Sequence, residues 1–225
     1  MIEIAGLKKF YGKRLVLDVP KLTLETDRRY ALIGPNGSGK STLLRILAGV
    51  LVPDEGAAAI RGIPAGEVGY LPQKPYAYDL SVLQNVMLSL GGGKEARERA
   101  LDALERVGLT SLSSARGSRL SGGEQQRMAL ARLIARPRRL LLLDEPTASV
   151  DIRANERIER ALTDYVSENG CMLVFSSHEP GQALRLATDV VALSEGRVAE
   201  TGGAGEVLRA PREASTQVFL QRWRI

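Results

Sequence analysis

A glycine-rich stretch at residues 34–42 constrains the fold of this chain more than any other feature. It reads Gly-Pro-Asn-Gly-Ser-Gly-Lys-Ser-Thr, which fits the phosphate-binding P-loop pattern. An apolar segment at residues 29–33 precedes it, and an amphipathic segment at residues 42–50 follows it. The pattern requires this context of a strand, a loop and a helix. The sequence therefore predicts an α/β fold, and a plain glycine-rich turn before a helix is the alternative.

The loop supplies the groups that bind a triphosphate. Its glycines let the backbone curl so that successive amides point inward, and the next helix adds its positive N-terminal end. We expect Lys40 to reach the β- and γ-phosphates and the Ser41 hydroxyl to bind Mg²⁺. The predicted nucleotide-binding residues of this segment are Gly34, Pro35, Asn36, Gly37, Ser38, Gly39, Lys40, Ser41 and Thr42.

Composition predicts a soluble globular protein. Of the 225 residues, 44% are hydrophobic and 25% are charged, which is ordinary for a globular domain. No apolar run approaches the roughly 20 residues that span a bilayer. Residues 1–4 do not begin a signal peptide, and Cys171 is the only cysteine. We therefore expect a cytoplasmic location.

A formal net charge of +5 raises the question of an anionic partner. Arginines are spread along the chain, and the densest cluster is Arg136, Arg138 and Arg139. This cluster lies between a predicted helix and an apolar strand, where a solvated loop explains it. No helix-turn-helix, zinc or aromatic-platform pattern accompanies the charge, so no nucleic-acid partner is predicted.

The first 24 residues predict antiparallel strands, because apolar residues alternate with polar ones on both sides of a turn at Gly12. Phe10 and Tyr11 fall at this turn, where an aromatic ring can stack on a flat base. Packing of the ring on the sheet is the alternative. For Tyr11 the residues alone leave both interpretations open.

A helical segment is predicted between two parts of a nucleotide-binding core. A strand ends just before Gln73, whose neutral amide can bind a cation through its oxygen or donate to water. Residues 81–108 then read as helical, with Ser81 and Gln84 at capping-box spacing and a break at glycines 91–93. The predicted division is a core at residues 1–75 and 126–225 with an inserted helical subdomain at residues 76–125.

A second glycine pair lies in residues 120–126, which read Leu-Ser-Gly-Gly-Glu-Gln-Gln and precede an apolar helix. The N-terminus of a helix attracts anions. Because the P-loop lies elsewhere, this stretch indicates a second phosphate-facing surface. A plain N-cap turn is the alternative.

Two carboxylates end the apolar run of four leucines at residues 140–143. The run predicts a strand buried on both faces. Asp144 lies where P-loop ATPases hold Mg²⁺, and Glu145 is positioned to orient or deprotonate an attacking water. A surface acidic turn is the alternative, although two adjacent carboxylates on a buried strand are costly without a metal or partner.

The only histidine, His178, follows another predicted buried strand at residues 170–176. Doubly wound sheets bind ligands at such strand ends. A neutral imidazole there can donate a hydrogen bond to a γ-phosphate or orient the water. A structural or simply exposed histidine is the alternative.

In their order along the chain, these motifs resemble those of the ATP-binding subunits of ABC transporters. The resemblance covers nearly the whole chain, and the Leu-Ser-Gly-Gly-Glu stretch is highly specific to that family. The matching positions are residues 34–42, Gln73, residues 120–125, residues 140–145, Asp151 and His178. The resemblance implies an α/β fold with a P-loop NTPase core, a mainly parallel sheet, an antiparallel β-subdomain and an inserted helical subdomain.

The resemblance also implies individual roles, with ATP and Mg²⁺ as the bound cofactors. Tyr11 would stack on adenine, and residues 149–151 would form the D-loop, in which valine at position 150 replaces the commoner leucine. Catalysis is assigned to Lys40, Gln73 as the Q-loop residue, Glu145, and His178 as the switch histidine. Mg²⁺ binding is assigned to Ser41, Gln73 and Asp144. Further nucleotide contacts are assigned to Ser121, Gly122, Gly123, Glu124 and Asp151.

The implied assembly is a head-to-tail pair, either a homodimer or a heterodimer with a similar ATPase. ATP would lie between the P-loop of one subunit and residues 121–124 of the other. The cleft beside Gln73 would grip a helix of an integral membrane permease, so that the subunit is peripheral on the inner face of the membrane. An extracytoplasmic substrate-binding protein is a further expected partner.

Residues 113–119 do not resemble the glutamate-rich segment of exporters, and a separate ATPase chain is similar to those of bacterial importers. Residues 70–86 and the short C-terminal part are similar to tungstate or molybdate importer ATPases. Two alternatives stay open: a non-transport ABC ATPase acting on nucleic acid or ribosomes, and a nucleotide-binding protein without turnover. Tandem domains, coiled-coil insertions and zinc cysteines would favour the first, and the presence of Glu145 argues against the second.

Overall fold

The computed structural model describes residues 1–148 and 151–223. Ser149 and Val150, two residues of the predicted D-loop, lie outside the described residues. The described ranges contain nine strands, namely β1 (Ile2–Tyr11), β2 (Arg14–Leu24), β3 (Arg29–Ile33), β4 (Glu55–Ile60), β5 (Val68–Leu71), β6 (Leu140–Asp144), β7 (Met172–Ser176), β8 (Asp189–Ser194) and β9 (Arg197–Gly203). They also contain eight α-helices, namely α1 (Lys40–Leu47), α2 (Val82–Met87), α3 (Lys94–Arg106), α4 (Gly122–Ile134), α5 (Ile152–Asn169), α6 (Pro180–Leu186), α7 (Ala204–Arg209) and α8 (Ala214–Gln221).

The strands form two sheets. The larger has six strands in the order β5-β6-β7-β3-β8-β9, and the smaller has three in the order β2-β1-β4. All neighbours from β5 to β8 are parallel, whereas β9 and the whole smaller sheet are antiparallel. The predicted combination of a mainly parallel sheet with a separate antiparallel sheet is therefore confirmed.

The larger sheet is buried on both faces, which explains the run of leucines in β6. Alternate side chains of a strand point to opposite faces. Leu140 and Leu142 therefore join an apolar cluster with α1 and the smaller sheet. Leu141 and Leu143 join a second cluster with helices α2 to α5. Each face is covered by a different layer, as expected for a sheet that reads as continuously apolar.

The segment predicted to be helical, residues 81–108, contains α2 and α3. Ser81 caps α2 by accepting a hydrogen bond from the Gln84 backbone, and the Gln84 side chain accepts one from the Ser81 N–H. This is the capping box predicted from the spacing. The boundaries of the helical subdomain at residues 76 and 125 stay a prediction.

Several boundaries differ from the sequence prediction. Helix α1 spans Lys40–Leu47 instead of residues 42–50, because Gly49 adopts a positive φ of 69° and ends the helix. Tyr11 lies at the end of β1 rather than in the turn, and the short helices α6 and α8 were not predicted. Among the described residues, no helix is long and apolar enough to cross a membrane.

Candidate functional site

The candidate site lies at one edge of the larger sheet. Strands β5, β6, β7 and β3 are neighbours and run parallel, so their carboxyl ends meet at that edge. The segments that follow them contain Gln73 after β5, Glu145 after β6, His178 after β7 and the P-loop after β3. The topology thus brings together residues that are far apart in the sequence, at the edge where such sheets bind ligands.

Two glycines of the P-loop are required by its path. Gly34 has a φ of 138°, and a Cβ atom there would overlap the carbonyl oxygen of Leu193. Gly39 has a φ of 104° at the N-cap of α1, and a Cβ atom would come within 2.6 Å of Leu17 Cδ2. Side chains at these positions would displace the loop, so its close approach to β2 and β8 depends on glycine.

The loop borders a cavity of about 420 Å³. Seven predicted phosphate-binding residues line it, namely Asn36, Gly37, Ser38, Gly39, Lys40, Ser41 and Thr42. Gln73, Glu145 and His178 line the same cavity. Gly34 and Pro35 contribute their backbone carbonyls beneath the loop instead.

Lys40 is held at the base of the loop. Its ammonium Nζ donates to the carbonyl oxygens of Gly34 at 2.7 Å and Pro35 at 3.0 Å. Burial lowers the pKa of Lys40, whereas the carboxylates of Glu145 and Asp144 act in the opposite direction. A positive charge is therefore fixed within the phosphate-binding loop.

Asp144 is fully buried at the end of β6. Its Oδ1 accepts hydrogen bonds from Ser41 Oγ at 2.8 Å and from Ser176 Oγ at 2.7 Å. Its Oδ2 is enclosed and has no hydrogen-bond partner among the described residues. A buried carboxylate oxygen without a partner is costly unless it binds a cation or water.

These groups fit Mg²⁺. The ion prefers oxygen ligands and is usually held by one or two carboxylates together with substrate phosphates. The Ser41 hydroxyl and the Asp144 carboxylate are adjacent, and one carboxylate oxygen is free of protein partners among the described residues. Gln73, the third predicted ligand, instead donates its amide N–H to Glu145.

Glu145 joins three parts of the site. Its backbone has a φ of 49°, and its N–H donates to Ser176 Oγ at 2.9 Å. Its Oε2 accepts from Gln73 Nε2 at 2.8 Å and lies 3.7 Å from His178 Nδ1. The left-handed backbone conformation turns the chain sharply after β6, so that the carboxylate points into the cavity rather than along the strand.

Two residues that were not predicted contribute to this arrangement. Ser176 pairs with Asp144 in register across β6 and β7 and bonds both acidic residues. Trp223 follows α8, and its ring centroid lies 6.2 Å from that of the half-exposed His178. The strand order would have revealed Ser176, whereas no local pattern signals Trp223.

The predicted second phosphate-facing stretch begins helix α4. Ser121 and Glu124 form a capping box, and Gly122 borders open space. The N–H and hydroxyl of Ser121 both donate to Glu124 Oε2, and these bonds lower the pKa of Glu124. Neither these residues nor Gly123 line the P-loop cavity. Within one chain, the second anion-facing helix start is therefore separate from the first.

Tyr11 and Asp151 also lie outside that cavity. Tyr11 is 49% exposed at the end of β1, with its ring available for stacking. Asp151 caps helix α5 through a hydrogen bond from the Ala154 N–H to its Oδ1 at 2.9 Å. The nucleotide contacts of Tyr11 and Asp151 stay predictions.

Fold and site together define a P-loop ATPase. A family model described as "ABC transporter" matches residues 17–148, which include the P-loop and both strand-end carboxylates. The chain belongs to this family.

Its relatives include transport ATPases. The tungstate uptake system ATP-binding protein TupC of Peptoclostridium acidaminophilum is 40% identical over 210 residues, covering 90% of this chain and 98% of that protein. The Fe(3+) ions import ATP-binding protein FbpC 2 of Pectobacterium atrosepticum is 34% identical over 234 residues, covering 98% of this chain and 68% of that protein.

A solved structure matches the fold. It is the dimeric post-hydrolysis state of the ATP-binding cassette MJ0796 bound to ADP and Pi, with a TM-score of 0.83 and 27% identity. The match covers 91% of this chain and 99% of that one. The predicted fold class and family are confirmed, and the chain is an ATP-hydrolysing subunit of an ABC transporter of the importer type.

Proposed function

We propose that this subunit hydrolyses ATP at a site completed by a second subunit, and that it drives an oxyanion importer. The observation that carries the catalytic part is the convergence of the P-loop, Asp144, Glu145, Gln73 and His178 at one sheet edge. Each subunit contributes a P-loop to one site and the start of α4 to the other.

In the proposed reaction, water attacks the γ-phosphorus in line with the bridging oxygen, the bond from the γ-phosphorus to that oxygen breaks, and ADP leaves. The Glu145 carboxylate accepts the proton of this water, while Gln73 and His178 orient the carboxylate and the water. Lys40 and the P-loop amides stabilise the negative charge that develops on the phosphate oxygens.

Ser41 and Asp144 would hold Mg²⁺, with Gln73 contributing its amide oxygen after rotation. When bound there, the ion would neutralise negative charge on the phosphates. The hydrogen bond from Ser176 fixes the Asp144 carboxylate in one orientation. The test is calorimetric titration of MgATP and of metal-free ATP into the protein and into Asp144→Asn. Equal responses to metal in the two proteins would contradict the assignment.

The start of α4 supports a two-subunit site. Ser121 and Gly122 are exposed, Gly123 and Glu124 are partly buried, and Gly122 borders open space, so another molecule can approach the helix N-terminus closely. A helix N-terminus attracts phosphate. A two-fold pair would use the same surfaces twice and form two equivalent sites. Residues 121–124 of one subunit would then contact the nucleotide held by the P-loop of the other.

A separate cleft suits a permease helix. It has a volume of about 650 Å³ and lies between the segment after β5, the residues that follow α2, and helix α4. Tyr76 and Tyr78 pack edge to face with centroids 4.9 Å apart, and Arg132 lies over the Tyr78 ring at 5.5 Å. Tyr76 is 70% exposed and Leu88 is 53% exposed. An amphipathic helix would bury these apolar side chains.

Co-purification tests this cleft. We expect Tyr76→Ala combined with Leu88→Ala to release the subunit from its permease, while the ATPase activity of the detached subunit persists. Val52→Ala is the matched control, because Val52 is 76% exposed and does not line the cleft. Co-sedimentation with ribosomes, in place of a membrane protein, would contradict the transport function.

Relatives suggest the cargo. The similarity to a tungstate uptake ATPase supports a tungstate-like oxyanion, delivered by an extracytoplasmic binding protein to a permease. The subunit would then lie on the cytoplasmic face of the membrane. In vesicles that contain the permease, tungstate-loaded binding protein should stimulate ATP hydrolysis. Stimulation by an Fe(3+)-loaded binding protein instead would overturn the oxyanion assignment.

A further inference from the structure

A third cavity carries a concentration of positive charge that the ATPase site does not use. It has a volume of about 780 Å³. Its lining includes four arginines and one glutamate, Arg99, Arg136, Arg138, Arg139 and Glu67, which gives a net formal charge of +3. We call it the arginine pocket. The three arginines predicted to lie in a solvated loop are thus part of a concave site.

Neutral carbonyl groups hold three of these arginines. Arg138 Nη1 donates to the Gly66 carbonyl at 2.7 Å, and Arg136 Nη2 donates to the same oxygen at 3.3 Å. Arg139 Nη1 donates to the Gly62 carbonyl at 3.0 Å. A guanidinium has five N–H donors, so each of these groups retains donors for a ligand. The backbone contacts position the arginines without neutralising them.

Few carboxylates offset this charge. Arg139 Nε lies 3.9 Å from Glu67, and Arg99 pairs with Glu95 at an exposed position of α3. Among the described residues, Arg136 and Arg138 have no carboxylate oxygen within 4.0 Å. Burial lowers the pKa of Arg138, and the neighbouring Arg136 charge acts in the same direction. The pocket therefore has an excess of positively charged hydrogen-bond donors, and a bound anion would offset their charge.

The residues that line the pocket limit the kinds of ligand that it can bind. Arginine forks match the geometry of phosphate oxygens, and several in one concave site favour a phosphate group. The described lining contains no aromatic side chain on which a nucleic-acid base could stack. We propose that the arginine pocket binds a phosphate-bearing anion, supplied either by the headgroup of an anionic phospholipid or by free phosphate.

The position of the pocket favours a lipid headgroup as the source of the phosphate. The pocket shares Ser89 and Arg138 with the proposed permease cleft, so the two cavities adjoin. If a permease helix occupies the cleft, the arginine pocket lies close to the membrane surface. This step rests on the proposed function, whereas the phosphate chemistry of the pocket does not.

Vesicle co-sedimentation tests the lipid source. Vesicles of phosphatidylglycerol and phosphatidylcholine are compared with phosphatidylcholine alone. Because an arginine near an anionic surface contributes about 1 kcal/mol, removing one should weaken binding about fivefold. The combined Arg136→Gln and Arg139→Gln variant should lose about 25-fold. Arg14→Gln combined with Arg209→Gln removes the same charge from exposed positions outside the pocket and should have a smaller effect.

Titration of inorganic phosphate tests the free-anion source. Saturating MgADP is present throughout, so that the P-loop site is occupied. Phosphate binding that disappears in the Arg136→Gln and Arg139→Gln variant, and persists in the control, supports the pocket. Failure of both probes to distinguish the variant from the control would overturn it. MgADP affinity is measured in every variant, so that loss of the ATPase site is distinguished from loss of the pocket.

A second variant distinguishes the loss of the pocket from misfolding of the protein. Arg99→Gln removes a pocket arginine whose observed ion pair is an exposed contact within α3. We expect an unchanged melting temperature and about fivefold weaker vesicle binding. If Arg99→Gln binds phosphatidylglycerol vesicles and phosphate as the unmodified protein does, Arg99 is not part of the site and the proposed pocket is wrong.

Discussion

The side-chain amide of Gln73 donates a hydrogen bond to Glu145, with Nε2 2.8 Å from Oε2. Gln73 follows β5, and Glu145 follows the neighbouring parallel strand β6. The segment after β5 also forms one wall of the proposed permease cleft, through Pro72 and Pro75. A single hydrogen bond therefore connects that wall to the proposed catalytic base, and displacement of the segment would change the surroundings of the carboxylate.

The proposed role of Glu145 predicts the behaviour of Glu145→Gln. The amide keeps the shape of the side chain and still offers an oxygen to Gln73, but it cannot accept a proton from water. Turnover should therefore fall by about 10²–10⁴-fold. ATP affinity should persist, and a dimer should accumulate with MgATP. Phosphate release and size-exclusion chromatography measure these outcomes.

Glu195→Gln is a matched control for this experiment. Glu195 also has a φ of 49°, but it is an exposed residue in the turn between β8 and β9. Its substitution should leave turnover and assembly unchanged. Glu145→Gln protein that turns over normally would exclude Glu145 as the base. A variant that remains monomeric with MgATP would contradict the two-subunit site.

We expect the loss of the Ser176 hydroxyl to lower both the stability of the protein and its ATPase activity. The buried hydroxyl accepts from the Glu145 N–H and donates to Asp144 Oδ1. Ser176→Ala removes both bonds and should lower the free energy of unfolding by about 1–3 kcal/mol. Turnover should fall as well, because Asp144 and Glu145 lose a shared support. Urea denaturation and ATPase assays measure the two effects.

Thr163→Ala is the control for Ser176→Ala. The Thr163 hydroxyl donates to the Glu159 carbonyl. Both residues belong to α5, and neither lies in the segments that follow β5, β6, β7 and β3 and form the site. Loss of the Thr163 hydroxyl should change turnover little. If Ser176→Ala leaves turnover intact while lowering stability, the serine supports the fold but does not hold the catalytic carboxylates.

Sequence alone predicted the parts of the site that are coded locally. The P-loop, the leucine run before Asp144 and the strand before His178 each have a characteristic pattern over a few residues. Ser176 could not be identified in this way, because its role depends on β7 lying beside β6. The arginine pocket was missed for the same reason, since its loop closes against the distant carbonyls of Gly62 and Gly66.

We expect the Tyr11 ring to contribute to ATP affinity by stacking on the base. The half-exposed ring is available to a flat ligand, and stacking on a base contributes about 1–3 kcal/mol. Tyr11→Ala should therefore weaken ATP binding by about 5–150-fold. Tyr76→Ala removes another exposed tyrosine, which lines the proposed permease cleft instead, and should preserve ATP affinity. If calorimetry gives the same ATP affinity for Tyr11→Ala and the unmodified protein, Tyr11 packs on the sheet and does not stack on the base.

We expect the buried thiol of Cys171 to make the protein less stable at high pH. The side chain is buried, and burial raises the pKa of its thiol from 9.0 to about 12. The native thiol therefore stays protonated while the thiol of the unfolded chain ionises. Between these two values the unfolded state binds fewer protons, so the free energy of unfolding should fall as pH rises.

The contribution of this one group is at most about 1.4 kcal/mol per pH unit. Urea denaturation below pH 9.0 and again between pH 9.0 and about 12 measures it against Cys171→Ala, which lacks the thiol. The variant should be less sensitive to pH over that interval, and a thiol reagent should modify the unmodified protein only when it unfolds. Rapid modification of the native protein, or equal pH sensitivity in the two proteins, would show that the thiol is not protected by burial.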